Sequence, residues 1–180
     1  MLGSIFHFFT VFFMDLRVKK LSKSLIIFVL LILFFLINIL MKNTVPPEYV
    51  LDLKFHYTAM EAYQRLELMG QELRESYMKC LLIFDMLYMV IYTILVSRTL
   101  LYLWGHQKLD WVCMAVLFSD FLENITVLYL LNTFPVYSFK GGFLASFFTT
   151  TKWVFVVMII MLLLGGLFRT IMGRIGKSTF

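Results

Sequence analysis

The chain has 180 residues, of which 61% are apolar and only 15% charged, with 20 Phe and 9 Tyr, an apolar share well above that of ordinary soluble domains. This is the composition of an integral membrane protein, and the short connections between its apolar stretches leave no room for a separate soluble enzyme domain. The formal net charge of +5 sits at the ends of apolar stretches rather than along one exposed face, so it reads as membrane topology and not as a nucleic-acid surface.

Taken from the amino terminus, residues 1–23 form a basic cytoplasmic segment. It opens with the aromatic run "IFHFFTVFFMD", too short to span a hydrocarbon core but suited to an interfacial helix. Met14 starts "MDLRVKKLSKS", a second natural start, so Met1 and Met14 stay open as alternatives. Arg17, Lys19, Lys20 and Lys23 then precede a first span at about 25–41. The positive flank and apolar core match a signal sequence. Because "NILMKNTVPPEY" follows with no small-residue cleavage site, it reads as a retained signal anchor.

Residues 42–77 form an outer loop of mixed charge. Pro46 and Pro47 stop the helix, and "VLDLKF" alternates apolar and charged residues like a short extended segment. Thr58 and Glu61 make a T-x-x-E capping box, which predicts a helix starting at Thr58. Met60, Tyr63, Leu66 and Met69 give it one apolar face. Gly70 marks a bend or cap, and from Gln71 the chain runs as one helix into a second span at about 78–104.

The linker "GHQKLD" is short enough to force a hairpin into the third span, about 111–131. The aromatic connection 132–152 reads as a re-entrant or interfacial piece before a fourth span at 153–172, although "GGFLASFF" could belong to a longer fourth helix. His106 and Lys108 sit between spans two and three, and Arg169, Arg174 and Lys177 follow span four. The positive-inside rule therefore puts both termini in the cytoplasm and the connections 42–77 and 132–152 outside. The expected fold is all-α: a four-transmembrane-helix antiparallel bundle in the cell membrane, with a short helical outer loop between helices 1 and 2.

Several features carry little chemistry. Cys80 and Cys113 should lie near opposite membrane boundaries, too far apart for the roughly 7 Å that a disulfide allows, and read as buried structural thiols. "NIT" at 124–126 matches a glycosylation pattern inside a span, where it cannot be reached. Arg98 is placed to snorkel toward the inner face. Gly165 and Gly166 would let a helix approach, and Trp104, Trp111 and Trp153 read as interface anchors. The three histidines form no ligand set; no metal or cofactor is expected.

The chemistry concentrates in "SDFLENITVLYLL". Asp120, Glu123 and Asn124 are spaced i, i+3, i+4 and share one helical face. Asp120 falls near mid-membrane. Entering from the other side, Asp85 lies about 10 Å below the outer end of span two, with Tyr88 and Tyr92 continuing its face. The hairpin lets the two stripes meet in the outer half. Lys152, after Thr149, Thr150 and Thr151, and Arg74, two to three turns above Asp85, are the candidate counter-charges. An ionised side chain at mid-bilayer costs about 2.5–3.5 kcal/mol on insertion scales. The three carboxyls must therefore face the bundle, pair with Lys152 or Arg74, or take up protons.

The stretch from Tyr57 to Lys152, with "YTAMEAYQRLELMGQELRESY", Asp85, Tyr88, Tyr92, "DFLEN", "NTFP" and "TTTKW", resembles a family of small four-span membrane proteins of bacteria and fungi. The likeness covers about the last two-thirds of the chain. Gly70, Arg74, Tyr77, Asp85, Asp120, Glu123 and Asn124 stand at matching places; Met89 departs, since the family often has Pro after that tyrosine. The resemblance implies the architecture and the site but no reaction. Three functional readings stand. The first is a carboxylate pocket that binds a proton, a cation or a lipid or small-molecule head group, in a transport-related or accessory protein. The second is a lipid-modifying enzyme with Asp120 or Glu123 as general acid or base, by analogy with four-span sterol isomerases. The third is an assembly factor whose polar network sets helix register. Expected partners are membrane lipids, with a second copy or other membrane subunits, and no nucleic acid.

Overall fold

The computed structural model describes residues 20–175. The interfacial helix expected near the amino terminus, the choice between Met1 and Met14, and Lys177 fall outside the described residues. Within them the protein is helical, without strands. The elements are α1 (Lys20–Thr44), α2 (Ala59–Leu68), α3 (Gly70–Lys79), a π-helical turn (Cys80–Asp85), α4 (Met86–Trp104), a 3-10 turn (Gln107–Leu109), α5 (Asp110–Thr133) and α6 (Phe139–Ile175).

Four helical stretches are long and apolar enough to cross a membrane: Ile27–Thr44, Gly70–Trp104, Gln107–Thr133 and Phe139–Met172. Their ends follow local chemistry. α1 stops before Pro46 and Pro47, which lack amide hydrogens and disfavour helix in the preceding residue. α4 ends at Gly105, whose φ of 75° is a left-handed cap that glycine adopts without a Cβ clash. α5 stops before Pro135, which follows a cis peptide bond. α6 starts where the Ser138 hydroxyl accepts from the Gly141 amide at 3.1 Å, an N-terminal cap.

The capping box at α2 is formed in full: the Thr58 amide donates to Glu61 Oε2 at 2.6 Å, and the Glu61 amide donates to Thr58 Oγ1 at 3.2 Å. The buried face of α2 is Ala59, Ala62, Tyr63 and Leu66, continued by Met69, while Met60 is exposed. Spacing by threes had put Met60 on that face. Three such steps slip backward around a helix of 3.6 residues per turn, and the first member leaves the contact. Gly70 has a φ of 67° and turns the chain from α2 into the rod Gly70–Trp104, as the sequence led us to expect.

Two expectations change. The "VLDLKF" segment is a series of turns, not an extended piece; its amides and carbonyls bond to side chains from the helices instead of a strand. The Leu51 amide donates to Tyr77 OH at 3.3 Å and Arg65 donates to the Val50 carbonyl at 3.2 Å. The fourth long helix begins at Phe139, not near Trp153, so the re-entrant piece is absent and the longer-helix alternative holds. Gly142 does not break this helix. A Cβ there would lie 2.5 Å from Ala59 Cβ and 2.7 Å from Ala59 Cα, so the glycine permits α2 to rest on α6.

Two apolar clusters result. One gathers Leu51, Tyr57, Leu66, Tyr77, Val127 and Leu130, and the other gathers Leu100, Val112, Cys113, Val116 and Ile159. Cys80 belongs to the first and Cys113 to the second. Along α5 they are separated by the polar stretch 119–124. α1 is the loosest member, with 6% of its apolar window buried.

Because the contact at Gly142 is with backbone as well as side chain, Gly142→Ala should cost about 1–3 kcal/mol. We expect a lowered thermal midpoint in detergent, partly restored by adding Ala59→Gly. Glu61 is held below its ordinary carboxylate range by its bond to the Thr58 amide. Its contribution is therefore full above the unfolded value near 4.5 and disappears as pH falls through the lowered one. Exchange protection of the Thr58 amide should differ between wild type and Glu61→Gln at pH 6, and that difference should close as pH falls through the lowered value.

Candidate functional site

Lys152 stands in the middle of α6, one helical step (i, i+3) from Thr149. Its buried ammonium meets three carboxylates: Asp52 from the turn segment, and Asp120 and Glu123 from α5. Nζ is 3.2 Å from Asp120 Oδ1 and 2.6 Å from Glu123 Oε2, and it pairs directly with Asp52 Oδ1. Lys152, Asp120 and Glu123 are all buried. Ligand atoms of the three carboxylates lie within 4.8 Å of one another, the spacing of a cation site, and the lysine supplies the cation.

Asp120 and Glu123 each also accept from a neutral donor. Tyr92 OH donates to Asp120 Oδ2 at 2.7 Å. Thr149 Oγ1 donates to Glu123 Oε1 at 2.6 Å. Tyr57 OH, 3.2 Å from Thr149 Oγ1, is then the donor to that hydroxyl, since the threonine proton is directed at Glu123. Burial, reinforced by the charge of Glu123, holds the Tyr57 phenol above its ordinary range, which keeps it a donor. The turn segment is tied to α6 by further bonds. The Trp153 ring nitrogen donates to the Asp52 carbonyl at 3.0 Å, Thr150 donates to the Phe55 carbonyl at 3.1 Å, and the Tyr57 amide donates to Ser146 at 3.1 Å.

Asp85 lies beside this cluster rather than in it. It closes the π-helical turn, a local widening frequently found at functional positions. Asn124 Nδ2 donates to Asp85 Oδ2 at 2.5 Å, while Asn124 Oδ1 is buried without a hydrogen-bond partner. One and two turns further on, Tyr88 and Tyr92 follow. Tyr88 accepts from Asn38 of α1 at 3.2 Å and stacks on Phe34 of α1, with ring centroids 5.0 Å apart.

These groups form one wall of a cavity of about 690 Å³ between α1 and the other helices. Asp85, Tyr88, Tyr92, Asp120 and Lys152 line it, and the deeper wall is apolar, including Val96, Val116, Val156 and Leu163. From Lys152 to Leu163 the α6 wall is about 16 Å long.

The structure thus brings together Asp85, Tyr88, Tyr92, Asp120, Glu123, Asn124 and Lys152. It leaves Arg74 out. The Arg74 guanidinium donates to the Leu66 carbonyl at 2.8 Å and lies 4.2 Å over the Phe134 ring, where it satisfies the carboxyl end of α2. Eleven helical residues from Asp85, or about 16 Å, exceed its reach. The sequence reading passed over Asp52, Asn38, Phe34 and Tyr57. Only the alternation of "VLDLKF" singled out Asp52, and it pointed to a solvated strand. Comparison of the chain with protein-family models, curated proteins and solved structures finds no match.

Removing one partner of a buried ion pair strands the others, at about 3–5 kcal/mol. Lys152→Met should cost that much in denaturant titration from mixed micelles. The triple variant Lys152→Met, Asp120→Asn, Glu123→Gln should be more stable than the single one. Equal losses would mean that Lys152 does not compensate these carboxylates.

Proposed function

We propose that the protein is an intramembrane binding protein for an amphiphilic small molecule. In this reading the four long helices cross the cell membrane as an antiparallel bundle, with both termini in the cytoplasm. The turn segment carrying Asp52 lies on the outer side, and the cavity opens in the outer half. The direction of the helices is supported by their pairings: as residue numbers rise from Asp85 to Tyr92 and Ser97 along the rod Gly70–Trp104, their α5 partners fall from Asn124 to Asp120 and Asp110. Basic residues at Lys19, Lys20, Lys23, Lys108 and Arg169 support the orientation. Kinship with the four-span family bearing the "DFLEN" pattern is part of the same proposal.

The observation that carries the function is the shape and chemistry of the cavity. Its volume is in the range of small-molecule sites, about 300–1,000 Å³, which combine apolar walls with a few convergent polar groups. Here Asp85, Tyr92, Asp120 and Lys152 gather in one zone, and apolar wall extends from it toward Val45, Val50 and Leu81 and toward Val96, Val156 and Leu163, which fits a head group and a hydrocarbon tail. Binding is favoured over acid–base catalysis because Asp120 and Glu123 are each already held by Lys152 and by a hydroxyl. A single four-helix unit has no second repeat against which to alternate, so any part in transport is an accessory one.

Filling the apolar end tests this without touching the charges. Val96→Trp and Val156→Trp should abolish retention of an amphiphile that co-purifies with the wild-type protein, read by native mass spectrometry after extraction into maltoside micelles. The proposal fails if wild type retains none, or if the filled variants retain it unchanged.

A further inference from the structure

Resting on the amphiphile reading, we infer that the head group taken by this cavity is cationic, an ammonium held by Asp85 against the faces of Phe34, Tyr88 and Tyr92. Four carboxyl groups, Asp52, Asp85, Asp120 and Glu123, stand around one buried ammonium. Lys152 reaches three of them, and among the described residues no ion pair is made by Asp85. Its partner is the neutral Asn124 amide, whose own Oδ1 is a second acceptor without a donor. Asp85 nonetheless lines the cavity. A buried carboxylate without a counter-charge is costly, and a cationic ligand removes that cost.

The surrounding rings select among cations. Phe34 and Tyr88 stack at 5.0 Å with planes 22° apart, and Tyr92 meets Tyr88 at 5.6 Å, edge to face at 67°. All three line the cavity with Asp85. Aromatic faces around a carboxylate attract alkylated ammonium groups, which are weakly hydrated and interact with the ring quadrupoles. An anionic head group would meet an excess of carboxylates, and a neutral alcohol would leave Asp85 without a counter-charge. Phe34 belongs to α1, the least buried of the long helices, and it reaches the aromatic wall through its stack on Tyr88.

Three probes of equal tail length test this: decyltrimethylammonium, decanol and decyl sulfate, each titrated against the full chain in maltoside micelles, with occupancy read by native mass spectrometry. Decyltrimethylammonium should bind about tenfold or more tightly than the other two. Asp85→Asn should erase that preference while decanol binding is kept. Phe34→Leu, on a lipid-facing helix where folding is least at risk, should reduce it severalfold. If no probe binds, the amphiphile reading itself is wrong. Should all three bind alike, or the sulfate bind best, the cavity takes amphiphiles without the cationic preference and the inference is overturned. A cationic preference that survives both Asp85→Asn and Phe34→Leu would equally overturn the assignment to this corner.

Discussion

The ammonium of Lys152 is the contact on which the rest of the structure depends. It joins three parts of the chain at one point: the turn segment through Asp52, α5 through Asp120 and Glu123, and α6 through its own backbone. Lys152, Asp120 and Glu123 are buried, and a buried charge that loses its partner is costly, so each depends on the others. That makes it a device for register. A one-turn slip of α6 against α5 would move Lys152 about 5.4 Å, leave the carboxylates bare and separate Thr149 from Glu123 together. Apolar packing alone would resist such a slip weakly, because Leu, Ile and Phe are interchangeable along these faces.

The polar layer also accounts for the two separate apolar clusters. α5 contributes Val112, Cys113 and Val116 to one, then the polar positions, then Val127, Leu130 and Leu131 to the other. The upper cluster is completed by residues outside the long helices, Leu51, Tyr57 and those of α2. Their approach requires the bare Gly142 surface opposite Ala59. The turn segment is thus built into the bundle, with its backbone groups satisfied by side chains of the long helices, as buried backbone demands.

What could be read from the sequence was what is periodic. Asp120, Glu123 and Asn124 share a face because helical geometry requires it, and the short "GHQKLD" linker brought Asp85 and its tyrosines to them. Thr58 and Glu61 announced the start of α2 by a local rule that tertiary structure did not alter. What escaped was what depends on contact between distant segments. Asp52 lies 68 residues before Asp120 in the numbering, and its alternating neighbours described a strand that the turn's side-chain partners replace. Arg74 offered the right charge, but the sequence does not encode that Leu66 O and Phe134 claim it first. The connection that holds Gly141 and Gly142 read as a re-entrant or interfacial piece; in the folded chain both belong to α6, and the small size of Gly142 serves a close crossing.

Asp85 differs from the other acids in a way that composition alone conceals. Asp120 and Glu123 have their charge and their lone pairs answered from within the chain, by Lys152, Tyr92 and Thr149. Asp85 has an amide. If the polar layer served register alone, the economical arrangement would leave no acid facing the cavity without a counter-charge, since a neutral side chain of equal size would accept the same bond from Asn124 without the cost of a buried charge. The placement of Asp85 at the end of a π-helical turn, facing a cavity with aromatic walls, is the observation on which the proposed binding reading rests. Lys152 holds the bundle; Asp85 is the acid that no ion pair among the described residues answers.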